Sequence, residues 1–442
     1  MSKPIVAIVG RPNVGKSTLF NIFADSRISI VEDTPGVTRD RLYAEAEWLD
    51  RKFTMVDTGG IEMQNTDSIA VSIREQAKIA IKEADVILFV CDARSGITAD
   101  DQDVAKLLRQ SRKPVVLAVN KADTPKQEAE AYEFYNLGIG EPFLISASNR
   151  LNLGDLLDAI VDNFPPEADD EDENDDVIKV SIIGRPNVGK SSIFNDIVGQ
   201  TRSIVSDVAG TTRDAIDVPV VKDGQTFLFI DTAGMRRKGK VDEPIEKYSI
   251  IRTLRAVDRS DVVLMVLNAV EGITEQDKKI AGYAHEAGKG IVIVVNKWDL
   301  YKKDTNSTVK FTEEIHKELI FMPYANVVYV SALTQQRISR LPELIKDAAE
   351  SNAMRISTSV LNQVITDAVA MNQPPQEKGK RLKILYSTQV KVKPPTFVIF
   401  CNEPEIMHFS YQRYLENKLR EAFGFQGTPI NLIVRGKNEE DQ

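Results

Sequence analysis

The chain has 442 residues, 42% of them apolar and 27% charged, and a formal net charge of −9. That length accommodates two or three domains, and the composition excludes collagenous, disordered and disulfide-rich classes. The acidic balance argues against wrapping nucleic acid with the whole surface, and no apolar run approaches the roughly 20 residues of a membrane-crossing helix.

The chain opens MSKPIVAIVGR, entering a strand at once with no small-residue cleavage site, so no signal peptide is expected. The strand IVAIV (5–9) is followed by GRPNVGKS (10–17), and KSTLFNIF then opens a helix. This is GxxxxGKS in the context that the phosphate-binding loop requires, strand before and helix after. Its glycines let backbone N–H groups turn toward an anion, and the helix N-terminus adds partial positive charge. Gly10, Arg11, Pro12, Asn13, Val14, Gly15, Lys16 and Ser17 are the expected cradle. Lys16 reaches the β- and γ-phosphates and Ser17 offers a hydroxyl to Mg²⁺.

GVTRD (36–40) places Thr38 in a polar loop, able to close over Mg²⁺ when triphosphate is present. The strand FTMV (53–56) runs into DTGG, so Asp57 is the expected acid linked to the Mg²⁺ site, with Thr58 and Gly59 beside it. Gly60 can approach a γ-phosphate by its backbone. Many GTPases carry a water-orienting Gln next; here it is Ile61, which cannot hydrogen-bond. VILFV (86–90) leads into Cys91, which reads, like Cys401, as an inert buried thiol in a reducing compartment.

VVLAV (115–119) ends in NKAD. The Asp123 carboxylate can accept from guanine N1–H and its exocyclic amine, a pair adenine does not offer, and an unpaired buried carboxylate is costly. Asn120 and Lys121 shape that pocket. After PFLIS (142–146), Ser146 and Ala147 bring a backbone N–H toward the guanine oxygen.

A Pro165-Pro166 pair and the acidic run EADDEDENDD (167–176) come next, expected to form a tether. Then the pattern repeats. GRPNVGKS recurs at 184–191, GTTRD at 210–214 and DTAG at 231–234, all at an offset of 174; NKWD recurs at 296–299 and SAL at 331–333. Such a long period marks a duplicated domain. The second set is therefore Gly184, Arg185, Pro186, Asn187, Val188, Gly189, Lys190, Ser191, then Thr212, Asp231, Thr232, Ala233, Gly234 and Met235, and Asn296, Lys297, Asp299, Ser331 and Ala332. Lys16, Lys190, Thr38, Thr212, Gly60 and Gly234 would serve catalysis. Ser17, Thr38 and Asp57, and likewise Ser191, Thr212 and Asp231, would hold Mg²⁺. The strands VIKVSII, TFLFI, VVLMV, IVIVV and NVVYV are largely apolar rather than alternating, which suggests burial on both faces of a mostly parallel sheet.

From 351 the chain reads helix (352–371), strand (381–390), strand (396–402), helix (410–423), strand (429–435), an αββαβ order similar to a KH-like RNA-binding module. Lys378, Lys380, Arg381, Lys383, Lys391 and Lys393 cluster on its hairpin. MRRKGK (235–240) is a second basic stretch. GFQG (424–427) superficially matches the KH clamp loop but sits between helix and strand, where a glycine helix stop explains it better.

With these strings, and with KYSIIRTLRA (247–256) and PPTFVIFCN (394–402), the chain resembles the EngA family, also called Der, over essentially its whole length. The resemblance implies two tandem doubly wound α/β P-loop GTPase domains and a small α+β KH-like domain. The expected boundaries are 1–165, an acidic linker 166–176, 177–350 and 351–442. It also implies a bacterial ribosome-assembly GTPase, cytoplasmic, binding GTP or GDP with Mg²⁺, whose partners are the large ribosomal subunit or its precursor and rRNA. Neither membrane nor DNA is expected, and the chain is expected as a monomer. In similar GTPases that need K⁺, an Asn in the P-loop helps to hold the ion, which points to Asn13 and Asn187; the alternative is that these amides only brace the loop. Two other readings stay open, an RNA-binding scaffold with one non-hydrolysing half and a tRNA-modification-type GTPase.

Overall fold

The computed structural model describes residues 3–25, 43–58, 69–124, 131–166, 176–200, 217–232, 248–302, 306–377 and 379–436. They divide into two compact units, one carrying a first sheet and the other a second sheet together with a small C-terminal sheet.

The first unit runs β1 (Ile5–Val9), α1 (Lys16–Asp25), β2 (Tyr43–Trp48), β3 (Arg51–Asp57), α2 (Ile69–Glu83), β4 (Val86–Asp92), α3 (Ala99–Ser111), β5 (Val115–Asn120), β6 (Pro142–Leu144) and α4 (Leu153–Asp162). Its sheet order is β2-β3-β1-β4-β5-β6, parallel except for the β2–β3 pair. Successive strand residues face opposite sides. Val6 and Ile8 therefore cluster with Leu19 and Phe23 of α1 and Leu156 and Ile160 of α4, while α2 packs on β1 and against α3. All five residues of β1 are buried, the signature of a strand covered on both faces.

The second half of the sequence repeats this plan: β7 (Val177–Ile183), α5 (Lys190–Gln200), β8 (Val218–Lys222), β9 (Gln225–Phe229), α6 (Tyr248–Arg259), β10 (Val262–Asn268), α7 (Glu275–Glu286), β11 (Gly290–Asn296), α8 (Ser307–Glu318), β12 (Asn326–Tyr329) and α9 (Leu341–Ala353). The order β12-β11-β10-β7-β9-β8 is the same sheet read from the other edge. Both halves thus have the expected doubly wound α/β architecture, but each holds a strand that the sequence reading missed. β2 (YAEAEW) has one fully buried residue, and β8 carries Pro219, which is tolerated only at an edge. Both are half-wet antiparallel edge strands, so neither shows the continuous apolar run by which the others were found.

The C-terminal segment runs α10 (Thr358–Met371), β13 (Gln376–Glu377), β14 (Lys380–Arg381), β15 (Ile384–Lys391), β16 (Thr396–Cys401), α11 (Phe409–Phe423) and β17 (Asn431–Gly436). β15 lies antiparallel and β17 parallel to the central β16. Phe397, Ile399 and Cys401 pack against Leu361 and Ile365 of α10 and Leu415 and Leu419 of α11. The αββαβ order holds, with a two-residue hairpin (β13–β14) added. The helix expected over 352–371 starts only at Thr358. Asn352 and Ala353 finish α9, and the Ile356 N–H donates to Gln389 Oε1 at 2.7 Å, holding the intervening chain extended.

GFQG forms a seam inside this unit. Gly424 (φ 90°) ends α11. Phe425 is buried. The Gly427 carbonyl accepts from Ile291 N–H at 2.6 Å, and the Gly427 N–H donates to the Tyr324 carbonyl at 2.9 Å. The Arg420 guanidinium lies over the Tyr324 ring at 4.6 Å. Both cysteines are free and buried, and burial pushes the Cys91 thiol well above its ordinary range. Among the described residues no helix is long and apolar enough to cross a membrane.

Candidate nucleotide sites

Each P-loop lies between the end of a parallel strand and the first turn of a helix, where open α/β sheets place ligands. Lys16 Nζ donates to the Gly10 and Arg11 carbonyls, both at 2.7 Å; Lys190 Nζ donates to Gly184 at 2.6 Å and Arg185 at 2.7 Å. Both lysines are therefore folded back onto their own loops. Burial lowers the Lys190 ammonium to about 8. It lowers Lys16 too, and in each half a carboxylate charge opposes the shift, Asp57 at Lys16 and Asp277 at Lys190. A bound polyphosphate would add counter-charge at each buried lysine.

The loops are closed by an asparagine frame. Asn120 Nδ2 donates to the Val14 carbonyl at 2.8 Å and its Oδ1 accepts the Ala147 N–H at 2.9 Å. Asn296 does the same with Val188 (2.8 Å) and Ala332 (3.1 Å). The first residue of NKxD therefore ties the P-loop to the SAS or SAL loop. In this structure the Ala147 and Ala332 N–H groups, expected to face a base oxygen, are donated to these Asn side chains. A Cβ on Gly15 or Gly189 would overlap these same amides, and both glycines sit at positive φ (+99° and +102°). Arg11 Nε and Arg185 Nε each donate at 2.9 Å to a buried carboxylate, Asp101 and Asp277, that also closes the capping box of the following helix.

The NKxD carboxylates differ. Asp123 Oδ1 accepts from Ser146 Oγ at 2.5 Å and Asn149 Nδ2 at 3.2 Å, and Oδ2 accepts from Arg94 Nη2 at 2.5 Å. The Ser146 hydrogen bond and then the Arg94 guanidinium hold its carboxyl below the ordinary range. Lys121 Nζ pairs with Asp92 Oδ2 and donates to the Asn13 carbonyl, both at 2.6 Å. Asp92 Oδ1 also accepts the Arg94 N–H at 2.9 Å, which fixes the loop carrying Arg94. In the second half Asn268 stands where Asp92 would be and Val270 where Arg94 would be. Asn268 still caps the Val270 N–H at 3.0 Å but turns its amide to Glu271. Ser331 Oγ accepts the Thr334 N–H at 3.1 Å. Among the described residues the Lys297 and Asp299 side chains have no hydrogen-bond partner. Sequence reasoning missed Asp92 and Arg94; aligning DAR with NAV marks a difference between the halves but not what Arg94 touches.

Mg²⁺ is expected where Ser17 Oγ meets Asp57 Oδ2 at 2.9 Å, a hydroxyl and a carboxylate at the mouth of the P-loop, and this donor set fits a hard cation. Asp57 is the last residue of β3. Asp231 differs: it lies two residues past β9 at φ 52°, with its N–H donated to Asp217 Oδ1 at 3.0 Å. Thr58 and Thr232 are buried beside them. Thr38, Thr212, Gly59, Gly60, Ile61, Ala233, Gly234 and Met235 lie outside the described residues, as do MRRKGK, Lys378 and the acidic run 167–175.

On the C-terminal hairpin Arg381, Lys383, Lys391 and Lys393 are exposed, and the exposed Lys380 pairs with Glu403 at 3.0 Å. Residues 355–435 contain eleven Lys or Arg against six Asp or Glu, in a chain that is −9 as a whole.

Family models agree with this division. One described as "50S ribosome-binding GTPase" matches residues 5–121 and 179–297, and one described as "KH-domain-like of EngA bacterial GTPase enzymes, C-terminal" matches 355–435. Among curated relatives, GTPase Der of Geobacillus sp. (strain WCH70) is 59% identical over 435 residues, 98% of this chain and 99% of its own. GTPase Der of Alkaliphilus oremlandii is 58% identical over 441 residues, covering 100% of both chains. GTPase Der of Listeria monocytogenes serotype 4a is 58% identical over 435 residues, 98% of this chain and 99% of its own. Two P-loops framed by NKxD, a KH-like end and full-length likeness lead to one conclusion: the chain belongs to the Der (EngA) family and is a GTPase.

Proposed function

We propose that this GTPase is a two-site switch in bacterial ribosome assembly, cytoplasmic and monomeric, docking on the large subunit or its precursor through rRNA according to the nucleotide it holds. The observation that carries the reading is the pairing of two complete nucleotide frames with a C-terminal segment of opposite charge to the rest of the chain. Asp123 and Asp299 read guanine. Lys16 and Lys190 bind the phosphates. Mg²⁺, held by Ser17, Thr38 and Asp57 and by Ser191, Thr212 and Asp231, neutralises charge on the phosphates when bound. Gly60 and Gly234 meet the γ-phosphate by backbone.

Asn13 and Asn187 hold K⁺ in each half. Both sit at positive φ (64° and 61°), are exposed, and make no side-chain hydrogen bond among the described residues, which supports an ion-binding amide over a bracing one. Exchanging Na⁺ for K⁺ at constant ionic strength should raise hydrolysis; equal rates would remove the ion. The hairpin lysines meet phosphate, so subunit binding should weaken steeply with salt, each contact on single-stranded RNA adding about −0.7 to the log–log slope. The deciding experiment is co-sedimentation with ribosomal subunits on sucrose gradients, with GDP against a nonhydrolysable GTP analogue. Large-subunit binding with the analogue alone supports the switch; identical profiles would sink it.

A further inference from the structure

The first half carries a cation on its base-reading carboxylate and the second does not. Arg94 Nη2 donates to Asp123 Oδ2 at 2.5 Å, and the Asp123 side chain is only 16% exposed. The other oxygen of that carboxylate already accepts from Ser146 and Asn149. Recognition of guanine, as proposed above, uses both oxygens: one takes N1–H and the other the exocyclic amine. The Arg94 fork therefore stands where a guanine donor would come. It is aimed there by its own loop, because Asp92 caps the Arg94 N–H and the neighbouring Ser95 Oγ accepts from Arg11 Nη2 of the P-loop at 2.8 Å.

We infer that Arg94 is a latch on the guanine pocket of the first half, occupying Asp123 until the base displaces it. The inference rests on the proposed base-reading role of Asp123. The displaced guanidinium, on a side chain 59% exposed, returns to water. The latch thus costs the nucleotide one partly exposed ion pair, a small effect that salt screens. Val270 makes the second half a natural unlatched control within the same chain.

The test uses the full-length chain with Lys190→Ala, so that fluorescent mant-GDP reports the first site. Arg94→Ala should bind it about 2- to 5-fold tighter with a faster association rate, and the gap should shrink between low and high salt. Conversely, Val270→Arg in a Lys16→Ala chain should weaken mant-GDP at the second site by a similar factor. Unchanged binding in Arg94→Ala overturns the latch. Weaker binding overturns it too, since Arg94 would then hold the base rather than bar it. Asp123→Asn is measured in parallel with GDP and XDP. If it still prefers GDP, the base-reading role itself fails; if it turns to XDP while Arg94→Ala does nothing, only the latch fails.

Discussion

The two halves share a frame and differ in what touches the base loop. The Asn120 and Asn296 braces, the P-loop lysines on their own carbonyls and the Arg11–Asp101 and Arg185–Asp277 pairs repeat almost atom for atom. Around NKxD the likeness stops: Lys121 and Asp123 are engaged by Asp92 and Arg94, whereas Lys297 and Asp299 are not engaged by Asn268 and Val270. Two substitutions outside every recognised motif thus leave one NKxD aspartate tethered by a guanidinium and the other not.

The largest effect expected from breaking the comparison is on base choice. Asp123→Asn and Asp299→Asn should each shift their own site from guanine toward xanthine nucleotides, by on the order of 10⁴-fold, read by competition between GDP and XDP. A shift in one half only would mean that the other reads its base differently. Next come Lys16→Ala and Lys190→Ala. Each removes charge-assisted hydrogen bonds to phosphate and should weaken its own site about 100-fold, reducing calorimetric stoichiometry from two to one. Gly15→Ala and Gly189→Ala should each destabilise by roughly 2 kcal/mol, through a strained φ and a displaced asparagine amide. Equal losses in thermal unfolding would support equivalent frames, and unequal ones would locate a difference.

A pH titration sharpens the contrast further. Lys190, at about 8, carries a depressed value, so its burial costs stability at low pH and that cost disappears as pH rises from about 8 toward the usual lysine range. Nucleotide restores the charged form, so binding at the second half should take up a proton near pH 8–9 and weaken above it. At the first half burial lowers Lys16 in the same direction, so proton uptake of the same sign is expected there. Calorimetry in buffers of different ionisation enthalpy measures both. The smallest effect belongs to the swap Asp92→Asn, which should cost the first half about 0.5 kcal/mol because the Lys121 pair is partly exposed, with Asn268→Asp giving a comparable gain.

Much of this was legible because the P-loop and NKxD place their chemistry on consecutive residues, and because buried parallel strands are uninterrupted apolar runs. β2 and β8 were not legible, since a wet edge strand lacks that run. Nor was the start of α10, where one hydrogen bond from Ile356 to Gln389 stops a pattern that reads as continuous helix. Arg94 was invisible for another reason: its partner Asp123 is 29 residues away, and only the fold brings the two together.

The GFQG seam bears on how the chain is made. Synthesis delivers the N-terminal end first. The first unit's sheet is complete long before its last residues emerge, whereas β11, which ends at Asn296, waits for Gly427 to cap the Ile291 N–H at its start. Until then the strand that ends at Asn296 has one open backbone donor. The Ile291 N–H at the start of β11 is therefore capped only when nearly the whole polypeptide has left the machine that builds it.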